Sequence, residues 1–150
     1  MDGMYFEDYE VGQVIRTPAA TITESQIIDF AMHYDPQPFH LDKGAAAESI
    51  YGGLIASGWQ IGSVAFRLVT LSNILTGTSL GSPGLDELRW LKPVRPGDTI
   101  HVDLTVEDKR PSRSKPDRGI VVIAYAVNNQ DGETVMTLKA LQMTRRRPAA

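Results

Sequence analysis

Cysteine is absent from this chain of 150 residues, and its absence excludes several kinds of chemistry. Without cysteine there can be no disulfide, no thiol nucleophile and no zinc–thiolate site. Long apolar runs are also missing, since no stretch approaches the roughly 20 residues that cross a bilayer. The first eight residues are acidic and lack the apolar core of a signal peptide. We therefore expect a cytoplasmic protein that does not associate with membranes.

No sign of charge dominates the sequence. The net charge is −3, which gives no overall electrostatic attraction to nucleic acid. Hydrophobic residues make up 42% of the chain and charged residues 22%, as is typical of a globular protein able to bury its own core. We find neither an internal repeat nor a linker that would divide the chain. The sequence therefore predicts a single domain over residues 1–150.

The first third of the chain predicts a strand followed by a helix. Residues 11–22 predict the strand, although Pro18 weakens it. Thr23 and Gln26 have the spacing of a capping box, in which each side chain satisfies a free backbone N–H at the start of a helix. This helix should end before Pro36, because the residue that precedes a proline disfavours the helical conformation.

The middle of the chain predicts the strongest helix. Residues 44–49 favour a short helical turn, and the longer helix should run from Ser57 to about Leu75. Its apolar residues occupy most of the helical circumference, which predicts a buried helix and not one that lies on a surface. These residues are Trp59, Ile61, Val64, Ala65, Phe66, Leu68, Val69, Leu71 and Leu75.

The second half changes to the period of β-strands. Residues 88–91 begin a strand, and residues 100–107 alternate strictly between apolar and polar side chains. Residues 120–127 and 135–144 predict two more strands, joined by a turn at residues 128–132. One long helix followed by consecutive strands indicates an α+β protein in which an antiparallel β-sheet is wrapped around one long central helix.

One short segment has the residue types for acid–base chemistry. Pro36 and Pro38 fix their own φ angles and favour extended conformations at Asp35 and Gln37. We therefore expect a stiff, non-helical connector with Asp35 at one end and His40 at the other. Such stiffness would hold an acid–base pair at a fixed separation. The residue types alone favour a simpler interpretation, a rigid loop with a solvated aspartate and a surface histidine.

Three segments resemble a known family. Residues 35–42 read Asp-Pro-Gln-Pro-Phe-His-Leu-Asp, which resembles the motif Asp-x-Asn-Pro-(aliphatic)-His-x-Asp of the MaoC-like hydratases. This family comprises the (R)-specific enoyl-CoA hydratases of the hotdog fold. Residues 52–58 resemble its glycine-rich entry into the central helix, and residues 88–99 resemble the strand and turn that follow that helix. The likeness therefore extends in order over nearly the whole chain.

The resemblance implies a hydro-lyase of acyl-CoA and fatty acid metabolism. Its reaction interconverts trans-2-enoyl-CoA and (R)-3-hydroxyacyl-CoA, with coenzyme A as part of the substrate and no further cofactor. Asp35 and His40 would hold a water and share its proton transfers as it adds to C3. The N–H of Gly58, at the positive end of the buried helix, would stabilise the thioester oxygen as an oxyanion hole. Glycine there would also permit close approach of the substrate. Taken alone, however, Gly58 favours a tight loop-to-helix turn.

The sequence departs from the family pattern beside the proposed catalytic residues. Gln37 replaces the usual asparagine, Phe39 replaces an aliphatic residue, and Ser57 stands where histidine is frequent. Phe66 falls near a position where some members carry a serine. We expect Gln37, Phe39, Ser57 and Trp59 to bind substrate. The bulk of Phe39 and Trp59 should limit the acyl pocket and favour short or compact acyl chains.

A basic segment between two predicted strands is the candidate site for the phosphates of coenzyme A. Residues 109–119 carry several cations, and Arg113 and Lys115 are the residues that we expect to contact phosphate. A solvated hairpin connection explains the same composition. One curled sheet also leaves exposed edges, so we expect a homodimer, or an oligomer built from dimers.

Other functions are considered as alternatives. The chain could be a hotdog acyl-CoA thioesterase, or a non-catalytic module that binds acyl thioesters. Residues 77–81 match Gly-x-Ser-x-Gly, but they should follow a helix, whereas a nucleophile elbow follows a strand. His33, Asp35 and His40 do not have the spacing of a recognised metal site, so we expect no bound metal. His101, on the polar face of a strand, is expected to be solvated.

Overall fold

An antiparallel sheet packed against one central helix forms the core of the structure. A computed structural model describes residues 3–150, and its fold is α+β of the hotdog type. The sheet has six strands in the order β1-β4-β5-β6-β3, and β2 also pairs with β4. These strands are β1 (Val14–Arg16), β2 (Ala20–Thr21), β3 (Leu85–Trp90), β4 (Thr99–Pro111), β5 (Arg118–Asn128) and β6 (Thr134–Arg145).

Four α-helices lie between the second and third strands. They are α1 (Glu24–Tyr34), α2 (Pro38–Leu41), α3 (Lys43–Glu48) and α4 (Gly58–Leu71), and a single 3₁₀ turn, Phe6–Asp8, precedes the first strand. In the described residues, 3–150, no helix is long and apolar enough to span a bilayer.

Alternation along the strands builds the core as the sequence predicts. In β4 the side chains of Ile100, Val102 and Leu104 are buried, while their polar neighbours lie on the opposite face. The central helix contributes Ile61 and Leu68 to the same core. The inward-facing side chains of the strands, which recur every second residue, therefore pack with the buried side of α4 in a single apolar core.

The central helix is shorter and more exposed than the sequence predicts. It ends at Leu71, because residues 72–75 leave the helical path in a turn where Asn73 has a φ of 63°. Trp59, Phe66 and Leu71 are each more than half exposed, although the apolar pattern predicted a buried helix and not one that lies on a surface. This prediction was wrong on one side of α4, and it leaves an apolar helical face open in the single chain.

The first strand and the proline-containing segment also differ from expectation. Residues 11–22 form two short strands and not one. Thr17 still donates its N–H to the Val102 carbonyl of β4, but the next residue, Pro18, has no N–H with which to continue the pairing. The segment after Asp35 is not wholly extended, since Pro38–Leu41 forms the short helix α2. Proline is tolerated in the first turn of a helix, where its missing N–H would have had no partner.

The predicted capping box is confirmed and fixes the direction of α1. Thr23 Oγ1 accepts a hydrogen bond from Gln26 N at 3.2 Å, and Gln26 Oε1 accepts one from Thr23 N at 3.0 Å. The helix ends at Tyr34, as the following Pro36 predicted. Asp35 therefore lies at the C-terminal end of α1, immediately before the turn into α2.

Candidate active site

Asp35 and His40 lie against each other. Asp35 caps the end of α1 and His40 lies on α2. The distance from His40 Nε2 to Asp35 Oδ2 is 3.1 Å, and their side chains are only 5% and 15% exposed. The alternative of a solvated aspartate and a surface histidine is therefore wrong: the turn between the two helices folds both groups inward as a pair.

A backbone carbonyl fixes the orientation of the His40 ring. His40 Nδ1 lies 2.7 Å from the carbonyl oxygen of Ile55. Since a carbonyl only accepts hydrogen bonds, Nδ1 must be the protonated donor in this contact. Nε2 is then the ring nitrogen available for proton transfer, and it faces Asp35.

The Asp35 carboxylate is held by two further donors. Ser57 Oγ donates to Oδ2 at 2.6 Å, and Gln37 Nε2 donates to Oδ1 at 2.7 Å. Burial on its own would raise the pKa of Asp35, but these two hydrogen bonds and the adjacent His40 together lower this pKa below its usual value. The carboxylate therefore stays ionised at neutral pH despite its partly buried position.

Two of the residues that we expected to bind substrate thus contact Asp35. The side chain of Ser57 is fully buried and its hydroxyl is directed to the carboxylate. Gln37 donates its amide to the same group while also lining the cavity described below. Any contact of Ser57 or Gln37 with substrate stays a prediction, whereas their support of Asp35 is visible in the fold.

The start of α4 presents free N–H groups next to this pair. Ser57 is the N-cap residue, but its hydroxyl binds Asp35 and makes no capping hydrogen bond to the helix. The first helical hydrogen bond runs from Ile61 N to the Ser57 carbonyl, at 3.1 Å. The N–H groups of Gly58 and the next two residues therefore have no partner within the helix, and the positive end of the helix dipole lies here.

A cavity of about 480 Å³ brings these groups together. Asp35 and His40 line it, as does Gly58 at the helix start. Phe39 forms one wall, with its ring edge-on to His40 at 4.6 Å and 5.2 Å from the ring of Tyr51. The cavity thus combines an acid–base pair, a free helix N-terminus and apolar walls, a combination suited to a small polar group with an apolar tail.

Trp90 is a cavity residue that the sequence analysis did not identify. Its ring packs in a T-shape against that of Trp59, with centroids 5.2 Å apart, and both rings line the cavity. Trp90 Nε1 donates to the Gly58 carbonyl at 2.9 Å. A side chain on an edge strand has no local sequence signal for this role, because the contact spans 32 positions along the chain.

Gly58 has a packing role that the sequence did not predict. A Cβ atom added to Gly58 would lie 2.4 Å from Trp90 Cε2, far inside van der Waals contact. The small size of Gly58 therefore permits the close approach of the Trp90 indole. Close approach of the substrate at Gly58 stays a prediction. Gly58 also lines the cavity, and the role of its N–H as an oxyanion hole stays a prediction.

The fold does not bring Arg113 and Lys115 to this cavity within one chain. Both are exposed at the tip of the hairpin between β4 and β5, and Arg113 lines a separate surface cavity with Arg110 and Arg118. The thirteen residues of β4 separate that tip from the cavity end of the sheet, a distance on the order of 40 Å. Their contact with phosphate stays a prediction.

The remaining histidines lie away from the pair. His33 is exposed on α1, where Nδ1 contacts the Asp29 carbonyl at 2.8 Å. Among residues 3–150 no group of three or more His, Cys, Asp or Glu side chains could hold a metal. His101 was expected to be solvated but is only 20% exposed, with Nε2 at 3.4 Å from Asp103.

The candidate nucleophile elbow is not formed. Residues 77–81 follow α4 and its turn, with no preceding strand, and Ser79 Oγ accepts a hydrogen bond from Gln142 Nε2 at 2.9 Å. The structure thus supports the interpretation of this segment as a turn.

Comparisons with known proteins agree with the geometry. The family described as MaoC like domain matches residues 7–128. The structure of a MaoC-like dehydratase from Rhodospirillum rubrum is 40% identical, with a TM-score of 0.91 over 98% of this chain and 100% of that one. The R-hydratase from Pseudomonas aeruginosa is 30% identical, with a TM-score of 0.73 over 97% and 88% of the two chains. The 3-hydroxybutyryl-CoA dehydratase of Methylorubrum extorquens is 32% identical over 117 residues, 75% of this chain and 69% of that protein.

Proposed function

Since this chain belongs to the MaoC-like family, we propose that it is a hydro-lyase that interconverts trans-2-enoyl-CoA and (R)-3-hydroxyacyl-CoA. The observation that carries the proposal is the 3.1 Å contact between His40 Nε2 and Asp35 Oδ2, made inside a cavity beside the free start of α4. Related proteins named R-hydratase and 3-hydroxybutyryl-CoA dehydratase support the same reaction class.

In the hydration direction, water adds across the C2–C3 double bond of the enoyl thioester. Water bound against Asp35 Oδ2 and His40 Nε2 attacks C3 and gives one proton to the pair. The C2–C3 π electrons move toward the thioester carbonyl, which becomes an enolate. The pair then returns one proton to C2, so that the elements of water are added and no proton is gained or lost overall. The lowered pKa of Asp35 keeps its carboxylate ionised for this step.

The start of α4 has the complementary role. The enolate oxygen carries the developing negative charge, and the N–H of Gly58 points from a helix end without an internal partner. A fixed N–H dipole in a partly enclosed cavity stabilises such charge more in the transition state than in the ground state. Ser57 makes this arrangement possible, because its hydroxyl is used on Asp35 and leaves the helix end uncapped.

Conservative substitutions in the pair test the proposal. Hydration of crotonyl-CoA removes its conjugated double bond, so the reaction can be monitored by the decrease in ultraviolet absorbance. Asp35→Asn and His40→Gln should each lower kcat by roughly 10²–10⁴-fold, the usual contribution of a positioned acid–base group. The double variant should be little slower than the slower single variant, because the residues serve one step.

The control is Asp29→Asn, which neutralises an exposed carboxylate on the same helix α1. Its kcat should equal that of the original protein, and circular dichroism should show that all variants are folded. A folded Asp35→Asn protein that hydrates the best enoyl-CoA substrate at nearly the normal rate would contradict the mechanism. Binding of acyl-CoA by the original protein without any change in absorbance would indicate a non-catalytic binding module.

A further inference from the structure

A second cavity lies beside the first and is nearly all apolar. Its volume is about 300 Å³. One wall is the face of α4 that carries Trp59, Gly62, Ser63 and Phe66, whose spacing places them on one side of the helix. The opposite walls come from apolar side chains of β3, β5 and β6, among them Leu88, Met136 and Leu138.

Only two side chains, Trp59 and Trp90, line both cavities in the described residues, 3–150. The two rings pack edge to face at 5.2 Å, so they form a continuous aromatic wall. The Trp90 ring is fixed from behind by its hydrogen bond to the Gly58 carbonyl at 2.9 Å. It also fills the space where any other residue at position 58 would place its Cβ.

We infer that the Trp59–Trp90 pair is a partition that sets the length of the acyl chain. The inference rests on the proposed function, because it takes the occupant of the first cavity to be an enoyl thioester. The thioester carbonyl lies at Gly58, so the acyl chain begins beside Trp90 and reaches the indole wall within a few carbons. Short acyl chains fit in front of the wall, and the tail of a longer chain would need the second cavity.

The second cavity suits that occupant. Its lining is apolar over most of its surface. Because both indoles line both cavities, their removal should join the second cavity to the first. Each additional methylene buried in such a site favours binding. An acyl chain that is stopped by the wall cannot bury further methylenes, so the wall selects against longer acyl chains. Opening the wall should therefore transfer specificity toward longer chains.

Two variants open the wall from opposite sides. Trp59→Ala removes a ring that is 62% exposed and lies at the surface end of α4, so the fold should tolerate the change. Trp90→Ala removes the ring on β3. For each variant, kcat/KM is measured with crotonyl-CoA and with trans-2-octenoyl-CoA. The ratio of octenoyl to crotonyl activity should rise at least about tenfold in each, the lower bound for one methylene-sized difference in an apolar pocket.

A third substitution tests whether the gain comes from the second cavity. Ser63 is exposed and lines the second cavity but not the first, so Ser63→Phe should fill the second cavity without narrowing the first. Combined with Trp59→Ala, it should return the octenoyl-to-crotonyl ratio toward its original value. Full retention of the gain in the double variant would overturn the assignment of the second cavity.

Binding measurements separate this inference from the proposed reaction. Calorimetry with the unreactive thioesters butyryl-CoA and octanoyl-CoA reports chain-length preference without turnover. Tighter binding of octanoyl-CoA to Trp59→Ala supports the partition even if no enoyl-CoA is hydrated, in which case only the reaction is wrong. Hydration of crotonyl-CoA with an unchanged chain-length preference in both folded tryptophan variants would overturn the partition and leave the reaction intact. An original protein that already prefers octenoyl-CoA would overturn it as well.

Discussion

At the scale of single residues, the identity of the acid–base pair is visible in the sequence but its support is not. Asp35 and His40 stand five positions apart in a recognisable motif. The groups that orient them come from farther along the chain: the Ile55 carbonyl lies 15 positions beyond His40, and the Ser57 hydroxyl lies 22 beyond Asp35. No local pattern predicts such contacts, because they exist only once the loop before α4 packs against the turn between α1 and α2.

Ser57 provides a test of how Asp35 is kept ionised. Replacing Ser57 with Ala removes a hydrogen bond that lowers the pKa of Asp35, while the opposing effect of burial remains. The pKa of Asp35 should therefore rise. If hydration requires the ionised carboxylate, activity is lost as pH falls through this pKa, so the acidic limb of the profile of kcat/KM against pH should move to higher pH.

The matched control for that change is Ser63→Ala on the same helix. The Ser63 hydroxyl donates to the Trp59 carbonyl at 2.8 Å and does not contact the pair. Its pH profile should coincide with that of the original protein. An acidic limb that stays in place in Ser57→Ala, with the protein folded, would mean that the Ser57 hydrogen bond does not govern the ionisation that limits activity.

At the scale of elements, the sequence predicts which helices and strands exist better than it predicts the residues at which they begin and end. The capping box at Thr23 and the alternation in β4 carry their own physical signals, and both are found where predicted. The end of α4 and the split first strand depend on tertiary pairing, which local pattern does not contain. The short helix α2 was missed because two prolines favour an extended segment, although Pro38 in fact occupies a first-turn position.

The junction of α4 and β3 gives a prediction about stability. Gly58→Ala would place a Cβ 2.4 Å from the Trp90 indole, whose position is fixed by a hydrogen bond to the same residue. Overpacking of this kind costs about 1–3 kcal/mol, which outweighs the advantage of about 1 kcal/mol that alanine has over glycine in a helix. Urea denaturation should therefore show a lower free energy of unfolding.

Gly62→Ala is the control in the same helix. A Cβ at Gly62 would lie 3.4 Å from the flexible end of Met136, an ordinary contact. Here helix propensity should prevail, and the free energy of unfolding should stay the same or increase. If Gly58→Ala proved as stable as Gly62→Ala, Trp90 would have to move freely, and its role as a fixed wall would be contradicted.

At the scale of the whole molecule, the sheet ends on one side in β3, which within residues 3–150 pairs only with β6. Leu85 and Trp90 on this strand, and Phe66 on the neighbouring face of α4, are about half exposed. An edge strand beside an apolar surface favours pairing with a second copy, and a two-fold axis normal to the sheet would set the two β3 strands antiparallel. This pairing is the basis of the predicted homodimer.

Such a dimer would give the basic hairpin tip a function that it cannot have within one chain. The tip lies at the opposite end of the sheet from the cavity of its own chain. Antiparallel pairing reverses the direction of the second copy. Its hairpin tip would therefore lie at the same end of the joined sheet as the active-site cavity of the first copy. The cations of that tip could then attract the phosphates of coenzyme A across the dimer. They are Lys109, Arg110, Arg113, Lys115 and Arg118.

The double substitution Arg113→Ala/Lys115→Ala tests this arrangement. KM for the enoyl-CoA should rise while kcat stays the same, because the residues would contribute to binding and not to chemistry. The rise should be larger at low salt, where charge attraction is least screened. An enoyl thioester of N-acetylcysteamine lacks the phosphates of coenzyme A, so the substitutions should not change the KM for this substrate.

Sedimentation equilibrium at micromolar concentration should give the mass of a dimer for both the original and the doubly substituted protein. A monomeric mass, or an equal effect on both thioesters, would contradict phosphate binding across a dimer, and an unchanged KM at low salt would leave the tip as a solvated connection.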